Sequence, residues 1–111
     1  MGALQVLSAE QEADPDAGPD GLSLALVLGA LSDPIRLAIV SELADGSERS
    51  CGSFDLGIAK STRSHHFNVL VEAGILTRRV EGRIRKLKLR RDALEARFPG
   101  LLDAVLGGSR R

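Results

Sequence analysis

The sequence predicts a mainly α-helical domain that carries a small β-hairpin, an α+β class. Three observations support this prediction. Apolar positions recur at helical spacing along most of the chain, and between residues 75 and 89 the pattern changes to one typical of paired strands. The 111 residues include three Phe but no Trp or Tyr, so aliphatic side chains must build the core. A chain of this length has room for one domain.

The first 20 residues are predicted to be a flexible acidic arm, since they combine carboxylates with Pro and Gly that oppose packing. We expect the folded domain to span residues 21–106 and residues 107–111 to form a disordered tail. The sequence leaves open a divalent cation, bound either at an interface between two subunits or by carboxylates of this arm. Those carboxylates are Glu10, Glu12, Asp14 and Asp16.

The first predicted helix, residues 22–31, is apolar around almost its whole circumference. A small domain covers only one face of such a helix, so a second subunit is implied and a homodimer is expected. The next helix is predicted to begin at Asp33, which caps free amides, with Pro34 at its first position and Gly46 after its end. Its predicted core stripe is Ile35, Ile39 and Leu43, widened by Leu37 and Val40.

Residues 47–53 are predicted to be a loop or short strand, and residues 54–57 one turn of helix. A third helix is predicted over residues 60–73, ended by Gly74 in a left-handed conformation. The hairpin follows, with strands at residues 75–80 and 83–89 and Gly82 supplying the positive φ of the turn.

A C-terminal helix is predicted to begin at Asp92, which with Glu95 has the spacing of a capping box. Pro99 and Gly100 predict a break near Phe98 and a resumed helix over residues 99–106. Apolar residues of this segment and of the first helix are the predicted dimer interface. They are Leu22, Leu24, Leu26, Leu28, Leu94, Phe98, Leu101, Leu102 and Val105.

Charge is segregated along the chain although the formal net charge is zero. Residues 1–59 contain two basic and ten acidic residues, a net of −8, whereas residues 60–91 contain ten basic and two acidic, a net of +8. Basic residues grouped in this way favour a surface that faces phosphates. A basic face exposed only to solvent is the alternative.

The order of elements predicts a winged helix-turn-helix, in which the third helix enters a major groove and the hairpin contacts the DNA backbone or minor groove. One side of this helix carries small or hydrogen-bonding residues near its start, and the hairpin carries Arg and Lys around its tip. The predicted helix contacts are Lys60, Ser61, Thr62, Arg63, Ser64, His65 and Asn68. The predicted hairpin contacts are Arg78, Arg79, Arg83, Arg85 and Lys86.

The segments LSDPIRLAIVSELADG and KSTRSHHFNVLVEAGILTRRVEGRIRKLKL resemble the second helix and the recognition helix with wing of the ArsR/SmtB family. The resemblance covers residues 22–106. It implies a homodimer, with the first and last helices at its interface, that represses transcription from a partly palindromic operator. The residues that the resemblance places near bases or phosphates are Lys60, Ser61, Thr62, Ser64, His65 and Asn68, and those that it assigns to the wing are Arg79, Arg83 and Arg85. Two positions depart from the family pattern: Arg63 stands where an apolar residue is usual, and Ala59 where a capping hydroxyl is common.

Other chemistries find little support in the sequence. No catalytic constellation stands at useful spacing, so an enzyme is not expected. The metal motifs that the resemblance would imply are missing, and the adjacent His65 and His66 diverge by about 100° on a helix. We expect a structural role for His66. Cys51 is the single cysteine, which fits a cytoplasmic protein, and a redox role for it stays open.

No run of apolar residues is long enough to predict a membrane span. The competing function is a winged-helix module that binds a protein partner through its apolar first and last helices, or a co-regulator without DNA specificity of its own.

Overall fold

The computed structural model describes residues 21–109, with side chains to residue 107. Within these residues, five helices and a small antiparallel sheet confirm the predicted class. The helices are α1 Leu24–Ala30, α2 Pro34–Glu42, α3 Lys60–Glu72, α4 Arg91–Arg97 and α5 Leu101–Ser109. The strands are β1 Arg49–Ser50, β2 Leu76–Glu81 and β3 Ile84–Leu89. The predicted acidic arm and the last two residues lie outside the described residues.

Local capping defines the starts of the first two helices. The hydroxyl of Ser23 accepts from Leu26 N at 3.4 Å, so α1 begins two residues later than predicted. Asp33 Oδ1 accepts from Ile35 N at 2.8 Å, and Pro34 occupies the first helical position, as predicted. A cap of this kind stabilises a helix by about 1 kcal/mol because it satisfies amides that have no partner within the helix.

The core is aliphatic and collects side chains from most elements. Ile39, Val40 and Leu43 of the α2 segment are fully buried. They pack in one cluster with Leu70 of α3 and Leu102 of α5. The stripe predicted for the second helix is therefore the side of α2 that faces the core.

The sheet has the order β1-β3-β2, with both pairings antiparallel. Gly82 has φ 63° in the turn between β2 and β3, as the hairpin prediction requires. The short strand β1 pairs Arg49 with Leu87 and Ser50 with Lys86. It therefore confirms the strand that was one of two alternatives for residues 47–53.

The helical turn predicted at residues 54–57 is wrong. A short 3-10 turn occupies Cys51–Ser53 instead, and Phe54 has extended backbone with φ −82° and ψ 123°. The Phe54 carbonyl accepts from Nη1 of Arg63 at 3.3 Å rather than from a following amide. The buried ring of Phe54 is 2% exposed, and anchoring it in the core keeps this segment extended.

The capping box predicted at Asp92 and Glu95 is also wrong. The N-cap of α4 is Arg90, which makes no side-chain cap bond. Its amide donates at 2.9 Å to the carbonyl of Ile75, the residue directly before β2, so the pairing of β2 with β3 extends to the start of α4. The Glu95 carboxylate instead accepts from Gly100 N at 2.9 Å.

The predicted helix break near Phe98 is confirmed, since Phe98 is the C-cap of α4. The last helix runs to Ser109, beyond the predicted domain end at residue 106. Within residues 21–109, no single helix is long and apolar enough to cross a membrane; α1 and α2 meet those criteria only as a pair bent by 99°. The same residues contain no group of three or more His, Cys, Asp or Glu placed to hold a metal ion.

Candidate nucleic-acid interface

Helix α3 has one buried side and one exposed polar side. His66, Phe67 and Leu70 are buried at 7%, 2% and 0% exposure. Ser64 and Arg63 are half-buried. The remaining predicted helix contacts are exposed, and they are Lys60, Ser61, Thr62, His65 and Asn68. The division predicted from sequence therefore holds for all positions except the two half-buried ones.

The start of α3 has no side-chain cap. Ala59 is the N-cap residue and makes no side-chain bond to the first turn, so the departure noted in the sequence leaves these amides uncapped. Free amides and the helix dipole make such an end electropositive.

An aromatic pair holds α3 against the segment that precedes it. The rings of Phe54 and Phe67 lie 5.3 Å apart between centroids at an interplanar angle of 58°. The guanidinium of Arg49 stacks 4.3 Å above the Phe54 ring. The isolated Phe54 was the only sequence signal for this anchor, because its partner lies 13 residues away on α3.

A cleft of about 570 Å³ lies between α3 and the β2–β3 hairpin, and we call it the basic cleft. Its walls come from the first half of α3, the hairpin, and the turn at Cys51. Five cationic side chains line it, and no acidic residue among residues 21–109 does. These are Lys60, Arg63, Arg78, Arg83 and Arg85.

The two faces of the hairpin differ in charge compensation. Val80 pairs with Arg85 and Arg79 pairs with Lys86, so Arg85 and Arg79 project from opposite faces. Arg79 binds Glu48 and Glu81, each with a nitrogen–oxygen distance of 2.7 Å. Lys86 lies 3.5 Å from the same Glu81 carboxylate. The face away from the cleft is thus largely neutralised.

These ion pairs shift the titration of the acids. The hydrogen bond from Arg79 lowers the pKa of Glu48 and also that of Glu81. The same bonds raise the pKa of Arg79 above its usual value. Arg79 and Lys86 were predicted as DNA contacts, but both are engaged with carboxylates in this structure. Glu48 was missed because it is 31 residues from Arg79 in sequence.

Within the basic cleft, two predicted contacts bind each other and one is turned inward. Arg78 Nη1 donates to Asn68 Oδ1 at 2.6 Å, joining the hairpin to α3. Arg63 reaches the Phe54 carbonyl, and its Nε is buried without a hydrogen-bond partner in the described part of the chain. Cys51 lies at the same wall. Burial raises the pKa of its thiol, and the charges of Arg78 and Arg85 offset this only in part.

The predicted dimer residues divide into buried and accessible sets. Leu22, Leu94 and Leu102 are 4%, 1% and 1% exposed within one chain, so they belong to its core and offer little area to a partner. Leu24 and Leu28 are each 46% exposed on α1. The others are half-buried, and they are Leu26, Phe98, Leu101 and Val105.

Comparison with known proteins agrees with this fold. A family model described as bacterial regulatory protein, arsR family, matches residues 33–78. An uncharacterized HTH-type transcriptional regulator of Bacillus subtilis, YceK, is 39% identical over 84 residues, covering 73% of this chain and 84% of the relative. A putative arsenical resistance operon repressor of Halobacterium salinarum, ArsR, is 35% identical and covers 96% of this chain and 81% of the relative.

Among solved structures, the transcriptional repressor BigR from Xylella fastidiosa is similar, with a TM-score of 0.55 and 31% identity. The match covers 68% of this chain and 85% of that structure. Together with the helix order and the antiparallel hairpin, this similarity confirms the predicted winged helix-turn-helix fold.

Proposed function

The chain belongs to the ArsR family of bacterial transcription regulators, and we propose that it represses transcription as a cytoplasmic homodimer bound to a partly palindromic operator. In this proposal α3 lies in the major groove and the hairpin lies on the backbone or in the minor groove. The observation that carries it is the basic cleft, where five cations lie beside the polar side of α3 and the described part of the chain places no carboxylate among them.

The exposed side of α3 supports base reading. Ser61, Thr62 and His65 are small or hydrogen-bonding side chains in the first half of the helix. Groups of this kind enter a major groove without clashes and pair with base edges. The cations beside them supply the phosphate contacts that give most non-specific affinity.

The exposed apolar residues of α1 support a dimer. Leu24 and Leu28 are four residues apart and therefore lie on one side of the helix. We propose that this side packs against a second copy, together with the half-buried Phe98 and Val105. The dimer would place two copies of α3 one duplex turn apart, at about 34 Å.

Fluorescence anisotropy with labelled duplexes at several salt concentrations tests the function. One duplex has random sequence, and the other is selected by the protein from a random library. We expect both to bind at low salt, and log affinity to fall with log salt by about 0.9 per phosphate contacted. The selected duplex should retain binding at higher salt.

Absence of binding to either duplex at low salt would contradict the proposal. It would favour the protein-interaction module, for which the exposed Leu24 and Leu28 are the supporting observation. Arg97→Ala is the control, since Arg97 is exposed on α4 and outside the basic cleft.

A further inference from the structure

The basic cleft carries positive charge that the described part of the chain does not compensate. None of its five cations forms an ion pair with a carboxylate of residues 21–109. The ion pairs within those residues involve other cations, which are Arg49, Arg79, Lys86 and Arg91. The cleft therefore attracts acidic groups from any other part of the chain that can reach it.

The negative charge that balances the chain lies in the acidic arm. Residues 1–20 contain five acidic and no basic residues, whereas residues 21–111 contain 15 basic and 10 acidic residues. The formal net charge of zero is thus reached only when the arm is counted. Because the arm is tethered to the fold, its carboxylates are present near the cations at a high effective concentration.

Four carboxylates of the acidic arm occupy every second position, at Glu10, Glu12, Asp14 and Asp16. Alternate residues of an extended backbone lie on one side of it, about 7 Å apart. Pro15 disfavours helical backbone at Asp14 and so favours this extended form. The sequence can therefore present a row of carboxylates to the cleft, as a DNA strand presents a row of phosphates.

The acidic arm is long enough to reach the basic cleft. The described fold begins at Gly21, and the helix that follows, α1, contacts α3. Glu10 precedes Gly21 by 11 positions, and an extended chain covers up to about 3.6 Å per residue, roughly 40 Å in all. The longest dimension of the fold is also 40 Å. Glu10 and Glu12 can therefore reach the cleft from the point where the fold begins.

We propose that carboxylates of the acidic arm, above all Glu10 and Glu12, occupy the basic cleft when no DNA is bound, so that the arm inhibits DNA binding by its own chain. The inhibition rests on the proposed function, whereas the contact between the arm and the cleft does not. A duplex binds only those molecules whose cleft is open, so its apparent affinity falls in proportion to their fraction.

Paramagnetic relaxation measured without DNA tests the contact in the full chain. A nitroxide label is attached at Ser8→Cys, close to Glu10, in a protein that also carries Cys51→Ser, since Cys51 is the single cysteine. We expect the label to broaden the amide signals of Lys60 and Arg85 at low salt. High salt should restore these signals, because it screens exposed charges.

Neutralising the carboxylates tests whether charge holds the arm in place. Glu10→Gln combined with Glu12→Gln in the labelled protein should restore the signals of the basic cleft even at low salt. Broadening that is absent from α3 and the hairpin, or that is spread evenly over the fold, would overturn the proposal.

Anisotropy with the random duplex measures the inhibition. Glu10→Gln combined with Glu12→Gln should raise affinity at low salt by about threefold to tenfold, the range expected when two exposed ion pairs are lost. The control is Glu72→Gln combined with Asp92→Asn, which removes the same charge from exposed residues outside the basic cleft. It should raise affinity much less, and equal gains for the two variants would show that net charge alone is responsible.

The two measurements separate this inference from the proposed function. If the label broadens the signals of the cleft but no form of the protein binds either duplex, the proposed function is wrong and the contact of the arm with the cleft stands. If DNA binds but the label leaves the signals of the cleft unchanged, the inhibition by the arm is wrong and the proposed function stands.

Discussion

Arg36 donates from Nη1 to Nδ1 of His66 at 3.1 Å, which joins α2 to the buried side of α3. A guanidinium can only donate, so Nδ1 of this imidazole is the acceptor in the bond. The Nε of Arg36 also donates to the Ala30 carbonyl at the end of α1, at 2.6 Å. One side chain therefore links three helices, including the one proposed to dimerise and the one proposed to read DNA.

Arg36→Ala should lower the free energy of unfolding by about 1–3 kcal/mol, since it leaves the Ala30 carbonyl and the His66 ring without their donor. Urea denaturation monitored by circular dichroism measures the change. Arg97→Ala removes an exposed side chain whose guanidinium lies 5.1 Å from the Phe98 ring centroid, so it should cost no more than about 1 kcal/mol. Equal midpoints for both variants would show that the link contributes nothing to stability.

Arg79→Ala should raise the pKa values of Glu48 and Glu81, because the hydrogen bonds from Arg79 lower them. In the folded wild type these acids titrate below their unfolded value of about 4.3. Their contribution to stability is therefore present above that pH and is lost as pH falls through the folded pKa.

NMR titration of the two carboxyl groups measures the shift directly. When urea denaturation is repeated at several pH values, the midpoint of Arg79→Ala should fall less at acidic pH than that of the wild type. The difference should shrink in high salt, because the pairs are exposed. Unchanged carboxyl pKa values would contradict the pairing.

Arg83→Ala with Arg85→Ala should weaken binding to random and selected duplexes alike, because phosphate contacts carry little sequence information. His65→Ala should weaken binding to the selected duplex more than binding to the random duplex. The difference should be about 1–3 kcal/mol if His65 pairs with a base edge. Anisotropy at fixed salt measures both effects.

Arg79→Ala is the matched control on the hairpin, since its ion pairs are on the face away from the cleft. We expect Arg79→Ala to lose less DNA affinity than the variant that lacks Arg83 and Arg85. A larger loss for Arg79→Ala would place the DNA on the other face and refute the assignment of the basic cleft.

Leu24→Glu combined with Leu28→Glu should dissociate the proposed dimer, because carboxylates in a dry interface are strongly disfavoured. Both residues are half exposed in one chain, so the monomer should retain its helical circular dichroism. Sedimentation equilibrium measures the association. The control is Val80→Glu on the hairpin. Val80 is 64% exposed, so this variant should leave the association of the two copies unchanged.

Short-range signals in the sequence determined the fold. Asp33 and Pro34 predicted the start of α2, and Gly82 predicted the turn of the hairpin. The change in the spacing of apolar residues distinguished the helices from the strands. Each of these depends on contacts within a few residues, so no knowledge of the rest of the molecule was needed. The polar side of α3 and the cationic hairpin followed from the same local reading.

Which charged side chains are paired with carboxylates, and which apolar side chains are buried, depended on the tertiary structure alone. Pairing of β1 with β3 brings Glu48 to Arg79 and neutralises one face of the hairpin, and the packing of Phe54 on Phe67 replaces a predicted helical turn. The core likewise buries Leu94 and Leu102, two residues that were predicted to lie in the dimer interface. Charge compensation and burial depend on residues distant in sequence, which no local pattern specifies.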